Sequence, residues 1–169
     1  MKLAKLLSPD LILLDMKAVE HWPAITELVD RLVEAGRLPR SQRDDVLQAL
    51  KTREELVSTG IGSGVAIPHA FSDELREVVA VFGRSKAGID FQALDHAPVH
   101  QIILFLVPRK EYHMHLRTLA AIAKMFTNSE IRRQLDEAET CGEILAILDS
   151  KPSRVPLMVK DDSGTAPTP

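Results

Sequence analysis

At 169 residues, 45% of them apolar and 27% charged, the chain has the length for one domain with a substantial core. A formal net charge of -3 argues against a general nucleic-acid binder, and the longest apolar runs, 11–14 and 102–107, are far too short to span a bilayer. The single cysteine, Cys141, excludes an internal disulfide and fits a reducing, cytoplasmic setting.

In chain order, the start reads as ordinary structure rather than a signal peptide, because no small-residue cleavage site follows its leucines. Residues 12–16 read as a first strand. Residues 19–36 read as a helix with Ile25, Leu28, Val29, Leu32 and Val33 on one face and Gly36 as the stop. Ser41 is a candidate cap for a second helix through Val46, Leu47 and Leu50 to about residue 58. The run GIGSGVAIPHA follows, from Gly60 to Ala70. Its alternate glycines lead into a short apolar strand with His69 at its tip, and they can bring backbone N–H groups close to a ligand.

The apolar, β-branched stretch 78–82 reads as a strand and 88–98 as a loop. The continuous apolar run QIILFLV, 101–107, reads as a central strand buried on both faces, stopped by Pro108. From Tyr112 the period becomes helical, with Leu116, Leu119, Ile122, Ala123 and Phe126 on one stripe. Thr127-x-x-Glu130 and Thr140-x-x-Glu143 look like capping boxes opening two more helices. After Ser150 the prolines Pro152, Pro156, Pro167 and Pro169 suggest a loose tail, so the domain is expected over 1–150 and the tail over 151–169. The mixture of helix and strand points to an α/β/α sandwich: a central mixed β-sheet flanked by helices on both faces.

Among six histidines, His113 and His115 invite a test for zinc. Two residues apart on a helix lie about 200° apart, so both cannot face one ion, and no HExxH or cysteine pair supports a metal site. His115 lies four residues before Leu119 and can point along the helix toward the sheet. As pattern alone it is a helix-border histidine. Arg53, in TREEL, is either a solvated arginine or a guanidinium that forks onto phosphate oxygens; sequence does not set its distance from His69. Ser63 does not sit in a nucleophile elbow, and the glycines are not those of a phosphate loop. Cys141 has nothing nearby to lower its pKa and reads as inert.

Three segments together, TREELVSTGIGSGVAIPHAF (52–71), QIILFLVP (101–108) and HLRTLAAIAK (115–124), resemble the fructose/mannitol-type enzyme IIA of the bacterial phosphotransferase system, a family that includes the nitrogen-type regulatory enzyme IIA. The resemblance runs over about residues 3–148. It implies a phosphohistidine carrier with an α/β sandwich fold. The family's phosphorylated histidine falls on His69, its second active-site histidine on His115 and its active-site arginine on Arg53. It also implies a phosphoryl donor, the histidine-containing phosphocarrier protein, and a receiver, an enzyme IIB domain or a regulated target protein. No cofactor, metal, nucleic acid or membrane insertion is called for. Partner docking needs a shallow, partly apolar rim, for which Val65, Phe71 and Leu94 are candidates.

Overall fold

The structure is a computed structural model that describes residues 3–149. The expected tail, 151–169, lies outside the described residues. Six strands, β1 (Ile12–Leu13), β2 (Gly60–Gly62), β3 (Val65–Ala66), β4 (His69–Ser72), β5 (Val79–Ile89) and β6 (Val99–Pro108), form one mixed sheet. Five helices flank it: α1 (His21–Glu34), α2 (Arg43–Leu56), α3 (Tyr112–Phe126), α4 (Ser129–Glu137) and α5 (Cys141–Asp149). The strand order is β1-β5-β6-β3-β2, with β4 also paired to β6. Strand β6 is central as expected: β5 runs antiparallel on one side, and β3 and β4 run parallel on the other.

The register of that parallel side places His69. Val65 pairs with Gln101, Ala66 with Ile102 and His69 with Phe105, a constant offset along β6. β3 and β4 are therefore one line of chain, broken only at Ile67-Pro68. Proline has no N–H to give, but its carbonyl accepts from Phe105 N–H at 3.0 Å, which carries the ladder across the break. His69 thus opens a second strand rather than ending the first, contrary to the sequence expectation.

Alternation then assigns faces. Ala70 and Leu106, a register pair, line a cavity with Val46 and Ala49 of α2. At Gly83 a Cβ would collide with Met16 Sδ and with Leu28 of α1, so that face belongs to α1 and α2. The other face carries Arg84, which donates to the Leu135 carbonyl of α4, and Gln101, its register partner, which donates to the Arg132 carbonyl. Phe105 and His69 share the parity of Gln101 and so look toward α3 and α4. Helices cover both faces, as the sequence implied.

Local chemistry sets the helix ends. Gly36, at φ 71°, closes α1 in a Schellman motif: Arg37 N–H bonds the Leu32 carbonyl at 2.9 Å and Gly36 N–H the Val33 carbonyl at 3.1 Å. The second helix starts with a 3₁₀ turn, Arg40–Gln42, and Ser41 makes no cap. Thr127 does not cap α4. Its neighbour Asn128 does, accepting from Glu130 N–H and Ile131 N–H, while the Thr127 hydroxyl turns back onto Lys124. Thr140 caps α5 as expected, accepting Glu143 N–H at 3.1 Å.

Three further expectations change. The first strand is two residues long, although Met16 N–H still bonds the Arg84 carbonyl. The strand read as 78–82 extends to Ile89, because buried Arg84 and Ser85 continue it under a polar disguise and Gly88 lies within it rather than in a loop. Leu116 is exposed, and His115 takes the inward place on α3 beside Ile122 and Phe126.

Candidate functional site

The glycine run is a hairpin. β2 and β3 are antiparallel, and Ser63 and Gly64 between them have φ of 57° and 80°, the two left-handed residues that a tight type I′ connection needs. Ser63 N–H is held by Asp95 Oδ2 at 3.0 Å and Gly60 N–H by Ser58 Oγ at 3.1 Å. Gly60 also lies against Ala93, where a Cβ would come 2.8 Å from the Ala93 Cα. These glycines thus serve a turn and a close packing contact. The N–H groups of Gly60 and Ser63 are taken up internally rather than left for a ligand.

His69 sits half-buried just beyond this hairpin. Its Nδ1 lies 2.9 Å from the carbonyl oxygen of Ile67. A carbonyl only accepts, so Nδ1 carries the hydrogen, and in the neutral ring Nε2 keeps the lone pair. Burial pushes the pKa of His69 down. The Ile67 hydrogen bond pulls the other way, the Arg53 guanidinium lowers it further, and the Glu54 carboxylate opposes Arg53. The net lies below the ordinary value for histidine. The ring is therefore held neutral with one defined nitrogen free.

Arg53 is half-buried in the last turn of α2, donating from Nη1 to the Val57 carbonyl at 2.7 Å. Its positive charge is one of the influences that lower the pKa of His69. His115 is 2% exposed on the first turn of α3, and its Nε2 lies 3.3 Å from Glu111 Oε2, one helical turn back. Among the described residues no hydrogen bond joins His115 to His69. The link is through packing: the His69 and Phe71 rings meet edge-on with centroids 6.4 Å apart, and Phe71 meets Tyr112, three residues before His115, at 5.1 Å. His113 is exposed, so the two histidines of the His-x-His pair part as helical geometry requires. Among the described residues no three His, Cys, Asp or Glu side chains gather in a metal-binding group.

Of the three rim candidates, Val65 is wholly buried and belongs to the core. Phe71 is half-buried and Leu94 is 61% exposed. The sequence reading missed other exposed apolar residues: Leu56, Val57 and Ile61 beyond Arg53, and Tyr112, Met114 and Leu116 on α3. Leu94 N–H bonds the Gly60 carbonyl, which joins Leu94 to the first group.

It also missed Glu54, whose side chain is 1% exposed. The carboxylate accepts from Thr59 N–H at 3.1 Å, from the Thr59 hydroxyl, and from His21 Nε2 at 3.1 Å. Burial pushes its pKa up, but these donors outweigh burial and hold it below the usual carboxylate range. A signal for it exists: Val46, Leu50 and Glu54 are spaced by four and share the buried stripe of α2. A glutamate on an apolar stripe asks for a partner. His21 carries the same signal, standing on the buried stripe of α1 with Ile25, Leu28 and Leu32.

Fold and site together define an α/β protein with one half-buried imidazole whose Nδ1 hydrogen is fixed by a backbone carbonyl and whose pKa is held below the ordinary value. A model of the family described as "Phosphoenolpyruvate-dependent sugar phosphotransferase system, EIIA 2" matches residues 5–151, and the chain belongs to that family. It is 37% identical over 140 residues to the fructose-specific EIIA component of Haloferax volcanii, covering 80% of this chain and 90% of that protein. It is 31% identical over 153 residues to the nitrogen regulatory protein of Bradyrhizobium diazoefficiens, covering 90% and 98%. A 36% match over 149 residues to the fructose-specific EIIABC component of Bacillus subtilis covers 88% of this chain and 23% of that longer protein. The crystal structure of nitrogen regulatory protein IIA-Ntr from Neisseria meningitidis superposes with a TM-score of 0.79 at 32% identity, covering 86% of this chain and 97% of that one. Enzyme IIA mannitol of Escherichia coli, solved in complex with phosphorylated enzyme IIB mannitol, shares the fold with a TM-score of 0.69 at 21% identity, covering 84% and 96%. No helix among the described residues is long and apolar enough to cross a membrane.

Proposed function

We propose that this chain carries a phosphoryl group on Nε2 of His69, taken from the histidine-containing phosphocarrier protein and passed to an enzyme IIB domain. The observation that carries the reading is the Nδ1 hydrogen bond to the Ile67 carbonyl, which leaves Nε2 as the nucleophile. The lone pair of Nε2 attacks the donor's phosphorus in line. A new P–N bond forms as the donor's P–N bond breaks, and the electron pair returns to the donor imidazole. His69 Nδ1 keeps its hydrogen, and the Ile67 carbonyl stabilises the positive charge that the ring gains. Donor and product are both phosphohistidines of similar energy, so the protein's work is positioning and charge stabilisation. Arg53 is assigned the cation that meets the phosphoryl oxygens, on the strength of the family pattern and of its effect on the His69 ring. His115 is assigned the second donor on the strength of the family pattern and its inward place on α3.

The exposed apolar residues Leu56, Val57, Ile61 and Leu94 on one side and Tyr112, Met114 and Leu116 on the other give a protein partner two banks to rest on. Such a contact is small and transient. The test is phosphoryl labelling from phosphoenolpyruvate through the upstream carriers. Wild type is expected to label and His69→Ala is not; a His69→Ala protein that still labels overturns the assignment.

A second reading is favoured by the near full-length match to proteins named nitrogen regulatory protein. In it, the same phosphohistidine switches contacts with a regulated target, since a phosphate adds roughly two negative charges to the surface. Pull-downs with His69→Ala and His69→Glu separate the two: recovery of enzyme IIB favours transport, and state-dependent recovery of another protein favours regulation.

A further inference from the structure

We propose that His21 is a positioning residue for His69, acting through Glu54, Thr59 and Ile67. The proposal rests on the reading that His69 Nε2 is the nucleophile, and it concerns what keeps that nitrogen free.

Four consecutive links connect the two histidines. His21 Nε2 meets Glu54 Oε2 at 3.1 Å. The Glu54 carboxylate holds Thr59 twice, through its N–H at 3.1 Å and through its hydroxyl. The Thr59 carbonyl accepts Ile67 N–H at 3.0 Å. The Ile67 carbonyl accepts His69 Nδ1–H at 2.9 Å. The last acceptor sets which ring nitrogen of His69 bears hydrogen. Where that acceptor sits depends on Thr59, and where Thr59 sits depends on the orientation of a buried carboxylate.

His21 is built to hold that carboxylate and nothing else. Its ring stacks on Trp22 at 4.4 Å and packs against Phe91 at 4.1 Å, contacts that restrain its orientation. Its Nδ1 is buried with no hydrogen-bond partner among the described residues. A ring with its hydrogen on Nδ1 alone would leave that donor without an acceptor and Glu54 without its hydrogen bond. Because a carboxylate only accepts, Nε2 bears a hydrogen and donates it to Glu54. Removing His21 leaves the carboxylate with its two Thr59 bonds and without the donor that sets its orientation from the α1 side.

The test is ¹⁵N-histidine NMR of the unphosphorylated protein together with phosphorylation rates. In wild type, His69 is expected as the Nδ1–H tautomer and His21 with hydrogen on Nε2. His21→Leu removes the donor, and the Nε2–H tautomer of His69 should gain population while phosphorylation slows roughly 10-fold, the low end for outer partners that orient a functional histidine. His21→Gln, which offers an N–H at the same reach, should restore both. Thr59→Val, which deletes only the hydroxyl donor, should shift His69 in the same direction. A wild-type spectrum with hydrogen on Nε2 of His69, or without hydrogen on Nε2 of His21, overturns the proposal without any variant. So does either folded variant, His21→Leu or Thr59→Val, whose His69 signals and rate match wild type. If wild type takes no phosphate on His69, the functional reading fails, while the tautomer shift still reports whether the relay exists.

Discussion

Two side chains bury a charge on opposite sides of the central strand β6, and the groups that surround them are of opposite kinds. Glu54, an anion beyond β3, is met by N–H and O–H donors from His21 and Thr59. Arg84, a cation on β5, is met by carbonyls alone: Leu14 at 3.0 Å, Leu135 at 3.0 Å, Asp136 at 3.4 Å, and Ala138. Three of those carbonyls belong to the end of α4, where the helix leaves acceptors unpaired and favours a cation. Arg84 ties α4 and the segment after β1 to the sheet. Glu54 instead acts on the charge of the His69 imidazole, as Arg84 does not. A buried charge can thus serve the fold or the site; the neighbour it acts upon decides which.

Four measurements bear on that contrast. The largest effect is expected from Arg84→Leu, which orphans a set of buried carbonyls. It should lower unfolding free energy by about 3 kcal/mol in urea titration, with the transfer rate of the folded protein unchanged. A slowed transfer step would erase the distinction between the two regions. Next come Arg53→Ala and His115→Ala, each expected to slow phosphoryl transfer on the order of 10²-fold by loss of one charge stabiliser, with an unaltered circular-dichroism spectrum. Unchanged kinetics in both would remove their roles.

The third is the pH profile. Only the neutral ring attacks, and burial together with Arg53 holds His69 below its ordinary value, so transfer should be level through neutral pH and fall only on the acid side of about 6.5. Removing the Arg53 charge raises the pKa of His69, so in Arg53→Gln the acid limb should move to higher pH. An unmoved limb would take Arg53 out of the electrostatics of the ring. The smallest effect is expected from Leu94→Glu, an exposed rim position. It should weaken donor association a few-fold, read as a higher KM at unchanged kcat.

The sequence pattern revealed the central strand, the helices and their order, because apolar runs and 3.6-residue stripes report burial directly. It hid the length of β5, since Gly83, Arg84, Ser85 and Lys86 look like a turn until the carbonyls that satisfy Arg84 are seen. It misplaced the α4 cap by one residue because Thr127 and Asn128 are both good caps and only the backbone decides between them. It ranked Leu116 as core and His115 as border, whereas the structure reverses them. For the site, the resemblance of three segments is what proposes His69, Arg53 and His115. The support beneath them was not legible, because His21 and Glu54 lie 33 residues apart and only the packing of α1 on α2 brings them together.

The central claim is that one nitrogen of one ring takes the phosphoryl group. ³¹P and ¹⁵N NMR of the phosphorylated protein reads it directly: phosphorus bonded to Nε2 of His69, with Nδ1 still bearing hydrogen, is the expected result. Phosphorus on Nδ1, or on any residue other than His69, would contradict the account.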